Sequence, residues 1–89
     1  MMAKDLSVKD KIRQFLLENP VYSGTVPSDL TDSFPLVDAG VLDSIGIYTL
    51  VAHLEKIFSM QIEVSDLTEK NFNSLLAIEN FVRARTSLS

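Results

Sequence analysis

Residues 43–58 read Asp43-Ser44-Ile45-Gly46-Ile47-Tyr48-Thr49-Leu50-Val51-Ala52-His53-Leu54-Glu55-Lys56-Ile57-Phe58. Ile47, Leu50, Val51, Leu54, Ile57 and Phe58 recur at spacings of three and four, which makes a broad apolar face on a helix. Asp43 stands where an N-cap belongs, and its charge suits the positive end of the helix dipole. The spacing predicts a helix from Ser44 to about Phe58.

Upstream, Pro20, Gly24, Pro27, Pro35 and Gly40 punctuate residues 20–43. A connection this long within a compact domain is usually functional or disordered. Phe34, Leu36, Val37, Val41 and Leu42 give it apolar anchors, so we read it as ordered, with its second half on the core. Before it, Val8, Ile12, Phe15 and Leu16 trace an amphipathic helix. Ser7 and Asp10 mark its start, and it should stop near Asn19, ahead of Pro20.

Downstream, Gln61-Ile62-Glu63-Val64 alternates like a strand but has no partner, so an extended connector is expected. Residues 65–70 suit one short helical turn. Asn73 or Ser74 then caps a last helix with Leu75, Ile78, Phe81 and Val82 on one face, and Arg83 and Arg85 in its final turn. Residues 86–89 should fray. The expected fold is an all-α, small four-helix bundle. It has three main helices, one short helix and a long loop between the first and second. One domain spans 1–89, with a core of about 8–85.

Size and composition narrow the function. The chain has 89 residues, 46% of them hydrophobic and 22% charged, which fits a globular fold. It is too short for the large α/β enzyme folds. It has no cysteine and a single histidine, which excludes disulfides and Cys-based zinc sites and leaves no expected metal site. No apolar run is long enough to span a bilayer. The first ten residues lack the apolar stretch of a signal peptide, so a cytoplasmic location is expected. Net charge is −4, which argues against nucleic acid and anionic membranes as partners. Residues 14–55 hold no Lys or Arg, only Glu18, Asp29, Asp32, Asp38, Asp43 and Glu55 as charges.

Catalytic arrangements fail one by one. Leu42 stands where a nucleophile elbow needs its first glycine. His53 is nine positions after Ser44, roughly 13 Å along one helix, too far to be its base. Ile47 replaces the lysine of a P-loop. The aspartates form no EF-hand. His53 reads as a surface residue, and no enzymatic activity is expected.

Ser44 remains. An Asp-Ser pair at a helix start is usually only a cap. Here it follows a long loop within the anionic stretch, and Gly46 is expected to keep the approach open. Helix N-termini receive phosphate well, so a serine there suits a phosphodiester.

Gly40-Val41-Leu42-Asp43-Ser44-Ile45-Gly46 resembles the attachment motif of the acyl and peptidyl carrier proteins, whose signature is Asp-Ser followed by Leu or Ile. Leu54-Glu55-Lys56-Ile57-Phe58, Ile62 and Phe72-Asn73-Ser74-Leu75 extend the likeness over about residues 8–83. The resemblance implies that 4′-phosphopantetheine from coenzyme A is attached to Ser44 by a phosphopantetheinyl transferase. It implies that Asp43 caps the helix and helps recognition by the transferase. Loading ligases and downstream biosynthetic enzymes would be further partners of a monomeric carrier.

Carriers of bulk fatty-acid synthesis resemble one another in acidic residues along the second helix. Here only Glu55 is acidic on the outward side, so a dedicated partner touching Ile45, Tyr48, Thr49, Ala52 and Glu55 is expected. Aspartates of the preceding loop would steer a basic enzyme. The abundance of Ile, Leu and Phe favours an acyl cargo in fatty-acid, polyketide or specialised lipid biosynthesis. The alternatives are a stand-alone aminoacyl or peptidyl carrier, and an unmodified helical interaction module.

Overall fold

The computed structural model describes residues 7–86. Its α-helices are α1 (Val8–Glu18), α2 (Ser44–Phe58), α3 (Glu69–Phe72) and α4 (Leu75–Thr86). Short 3-10 turns occupy Pro20–Tyr22 and Val64–Asp66. No strand occurs among the described residues. The all-helical architecture matches the expectation, with three long helices, one short one and a crossover between α1 and α2.

Local chemistry sets the boundaries of α1. Ser7 Oγ accepts from the Asp10 N–H at 3.1 Å, the expected cap. The Asp10 carboxylate turns to Arg13 instead of back to the cap. A carboxylate from α4 takes its place, since Glu79 Oε2 accepts from the Lys9 N–H at 3.0 Å. Negative charge at a helix N-terminus is favourable, which explains a nearly buried glutamate. Val8, Ile12 and Leu16 are buried and Phe15 is half-buried. At the other end Asn19 Oδ1 accepts from the Val21 N–H at 2.9 Å and launches the Pro20–Tyr22 turn.

The crossover is anchored along its whole length, not only in its second half. Tyr22 and Leu30 are buried, as are Leu36, Val41 and Leu42. Asn73, at the α3–α4 junction, holds the middle of the loop. Its carbonyl accepts from the Leu36 N–H at 2.9 Å. Its Oδ1 accepts from the Val37 and Asp38 N–H groups at 2.8 and 3.2 Å. The Val41 and Leu42 amides both bond to the Leu36 carbonyl, so this anchorage reaches the residues just before α2.

Helix α2 buries Gly46, Leu50 and Leu54 and half-buries Ile47, Val51 and Phe58. Ile57, expected on the same face, is 40% exposed. Beyond it, the connector runs without regular structure to Glu63. The expected turn at 65–70 is two turns, Val64–Asp66 and Glu69–Phe72. Thr68 divides them, because its Oγ1 caps α3 by accepting from the Asn71 N–H at 3.3 Å. Phe72 is fully buried, so packing fixes where α3 ends. Ser74 Oγ caps the next helix through the Ala77 N–H at 3.0 Å.

Leu75, Ile78, Phe81 and Val82 are buried as expected. Thr86 does not fray, because it closes α4 with its Oγ1 donating to the Val82 carbonyl at 2.7 Å. The rest of the expected frayed tail, residues 87–89, lies outside the described residues. Ile12, Leu16, Leu36, Leu50, Leu54, Leu75 and Ile78 have no exposed surface. Truncating any of the leucines or isoleucines to alanine costs about 2–5 kcal/mol.

Candidate functional site

The loop delivers the chain to α2 at Asp43. Its extended backbone stops the helix there, and its Oδ1 accepts from the Gly46 N–H at 2.7 Å. The Asp43 carbonyl accepts from the Ile47 N–H at 2.8 Å. This is the expected cap, and it fixes the first turn. Ser44 is the first residue of α2 and is exposed.

Ser44, Ile45, Tyr48, Thr49 and Ala52 share one outward face of α2, at helical spacings of one, three and four. Ile45 is 68% exposed and Tyr48 59% exposed. Thr49 is half-buried, with its Oγ1 donating to the Ile45 carbonyl at 2.8 Å. Ala52 is exposed. Glu55 is half-buried, and its Oε2 accepts from the Ile62 N–H at 2.9 Å, tying the connector to the end of α2.

Gly46 does not keep an approach open, contrary to expectation. It is buried and faces inward. A Cβ there would lie 2.6 Å from the Val41 carbonyl oxygen and 3.1 Å from both Asp43 Oδ1 and Tyr22 Cε1. Only glycine lets the crossover press this closely on the first turn. Behind it, the fully buried Tyr22 donates its hydroxyl to the Gly46 carbonyl at 2.6 Å. Burial, with the Asp43 charge nearby, pushes this phenol well above its ordinary range, so it stays a donor. Sequence reasoning missed Tyr22, because a loop aromatic carries no periodic signal.

Electrostatics around the site also departs from expectation. Asp32 is not free to steer a partner. Its carboxylate pairs with Lys9 at 2.9 Å and with Arg13. Lys9 holds it below the usual carboxylate range. Asp43 is engaged as the cap. Asp29 is exposed, and Asp38 is exposed and bonded to Asn73. Asp38 in turn raises the Glu69 carboxyl.

His53 is not a free surface residue either. It is half-buried and stacks on Phe15. Both rings line an open groove of about 380 Å³ between α1 and α2, with Lys11, Gln14, Glu18 and Ile57. His53 is nine residues along α2 from Ser44, so the groove does not adjoin the serine. Among the described residues no group of three or more His, Asp or Glu is placed to hold a metal. No helix there is long and apolar enough to cross a membrane.

An exposed hydroxyl on a capped, braced helix start is accessible to an enzyme that would esterify it. A flexible arm would extend from it into solvent without displacing core. The residues present therefore fit a covalently tethered phosphodiester.

Comparison with known proteins points the same way. The family described as "Phosphopantetheine attachment site" matches residues 23–82. The D-alanyl carrier protein of Streptococcus uberis is 36% identical over 56 residues, covering 63% of this chain and 70% of that protein. The D-alanyl carrier proteins of Streptococcus equi subsp. zooepidemicus and subsp. equi are each 38% identical over 47 residues. Those matches cover 53% of this chain and 58% of the relatives.

Proposed function

Since the chain belongs to the phosphopantetheine attachment-site family of carrier proteins, with 4′-phosphopantetheine as its covalent cofactor, we propose that Ser44 carries the arm and that the cargo is a small aminoacyl group. The observation that carries the assignment to Ser44 is its exposed place at the head of α2, directly after the Asp43 cap.

When bound, the cofactor supplies a thiol that holds cargo as a thioester. The protein's own residues do the rest. Ser44 Oγ would form the bond to the pantetheine phosphorus of coenzyme A, its proton passing to a base of the transferase, while the diphosphate P–O bond breaks and adenosine 3′,5′-bisphosphate leaves. Asp43 holds the first turn rigid during that step. Ile45, Tyr48, Thr49 and Ala52 form the surface on which a transferase, a loading ligase and an acceptor enzyme dock in turn. Glu55 stands at the edge of that surface and braces the connector. The carrier catalyses nothing itself; its gain is the high effective concentration of a tethered substrate. We place it in the cytoplasm as a monomer, with one carrier domain over residues 1–89.

The aminoacyl assignment is supported by relatives named for D-alanine. Packing supports it too. The Ile, Leu and Phe side chains that favoured an acyl cargo fill the core against one another. A fatty-acyl chain would have to open that core, although each methylene it buried would return about 0.8 kcal/mol. Fatty-acyl cargo is therefore the second reading.

Intact-mass analysis of the protein from its native host tests the proposal. It should show one phosphopantetheine, with an aminoacyl increment when the thioester is preserved. A fatty-acyl increment, with a melting temperature that rises with chain length, would select the second reading. Retained partner binding with no added mass would select an unmodified interaction module.

A further inference from the structure

Helix α2 is fastened to the bundle through the Pro20–Tyr22 turn, its main backbone neighbour among the helical elements. That turn is built firmly. Asn19 caps it, and the Tyr22 carbonyl accepts from the Thr25 and Val26 N–H groups, both at 3.1 Å. The Tyr22 ring meets Phe15 of α1 edge-on, with centroids 5.9 Å apart. The ring cannot swing away, because α1, its own turn and α2 surround it.

Its hydroxyl reaches one place, the carbonyl of Gly46, two residues after Ser44. The same glycine donates its N–H to Asp43 Oδ1. The two peptide groups of Gly46, in the first turn that Ser44 opens, are thus held from two sides, by the cap and by a buried phenol. The Gly46 Cα is pressed on Val41 from a third.

We infer that Tyr22 is a positioning residue for arm attachment, setting the first turn of α2 so that the Ser44 hydroxyl is presented outward in one orientation. The inference rests on Ser44 being the acceptor. The bond to a helix carbonyl adds little to the fold as a whole, since a carbonyl has a second lone pair and α2 is anchored by Leu50 and Leu54. Its effect is local to the turn that an enzyme must grip.

The test compares Tyr22→Phe with Val82→Ala in the full apo chain. Tyr22→Phe removes one oxygen and keeps the ring. Val82→Ala lowers stability from α4, which packs on α1 and α3. Both are assayed where circular dichroism shows them folded, with a phosphopantetheinyl transferase and coenzyme A. Tyr22→Phe should lower kcat of loading about five- to tenfold, the scale of one lost hydrogen bond, with KM for the carrier little changed. It should also speed amide exchange at Gly46 and Ile47 by a similar factor and leave Ile78 unchanged. Val82→Ala should load like wild type. Equal loading by both variants, or unchanged exchange at Gly46 and Ile47 in Tyr22→Phe, would overturn the inference. Failure of the wild-type chain to load would instead defeat the attachment proposal; the exchange measurement then decides the role of Tyr22 alone.

Discussion

The imidazole of His53 lies flat on the ring of Phe15, with centroids 3.8 Å apart and planes 10° from parallel. This stack joins α1 to α2, beside the Lys11 ammonium that lies 5.8 Å from the Phe58 ring. It sits best with a neutral imidazole. Burial, followed by the charge of Lys56, pulls the His53 pKa below its ordinary 6.5. A depressed folded-state pKa means that the unfolded chain binds the proton more readily. The stabilisation is complete above about pH 6.5 and is lost as pH falls through the lower folded value. Thermal melts between pH 8 and 5 (on the order of one half-unit steps) should show the decline. His53→Phe should flatten it, because the stack survives without a titrating group.

Gly46→Ala should destabilise the protein by about 1–3 kcal/mol, read from urea unfolding. An interior helix glycine normally gains stability on this change, about 1 kcal/mol. The sign reverses because the added methyl group meets the Val41 carbonyl oxygen at 2.6 Å. Gly40→Ala is a contrasting case, with open space but φ of +84°. It should cost about 1–2 kcal/mol through backbone strain alone.

Asn73→Ala should release the crossover from the α3–α4 junction. Two loop amides lose their acceptor together, at Val37 and Asp38. A cost of about 1–3 kcal/mol is expected, with faster hydrogen exchange at both amides. Asn73→Asp keeps the acceptor but sets a third carboxylate beside Asp38 and Glu69, so it should rescue the loop amides only at acid pH.

The end of α4 should loosen in acid. Arg85 grips Asp66 through two hydrogen bonds, at 2.8 and 2.9 Å. The guanidinium, assisted by the Glu63 N–H, holds the Asp66 carboxyl at about 2, below its ordinary 3.8. The contribution is present above about pH 4 and disappears toward pH 2. NMR titration should show the Arg85 and Glu63 signals shifting in that window, and Asp66→Asn should abolish the shift.

Much of this fold is legible in the sequence because helices announce themselves by spacing. Val8, Ile12 and Leu16, then Leu50 and Leu54, then Leu75, Ile78 and Val82 repeat with the helical period and are buried. Asp43 and Ser7 cap where side-chain chemistry says they should. The misses around the site share one cause, contacts between residues far apart in the chain. Asp32 is 23 residues from Lys9, so its neutralisation leaves no local trace. Tyr22 and Leu30 lie in a loop where periodicity is silent. The role of Gly46 is hidden for the same reason. Its small size answers the loop behind it, not a ligand in front. At the candidate site, the Asp43 cap and the helix start at Ser44 are legible in the sequence, whereas the phenol behind them is not.

In the proposed carrier the Ser44 hydroxyl takes the arm. The direct measurement is intact mass of the apo protein after incubation with a phosphopantetheinyl transferase and coenzyme A, for wild type and Ser44→Ala. The wild type should gain one phosphopantetheine. Ser44→Ala should gain none while keeping its helical circular dichroism. A gain retained in Ser44→Ala would place the arm on another residue, and no gain in the wild type would contradict the account outright.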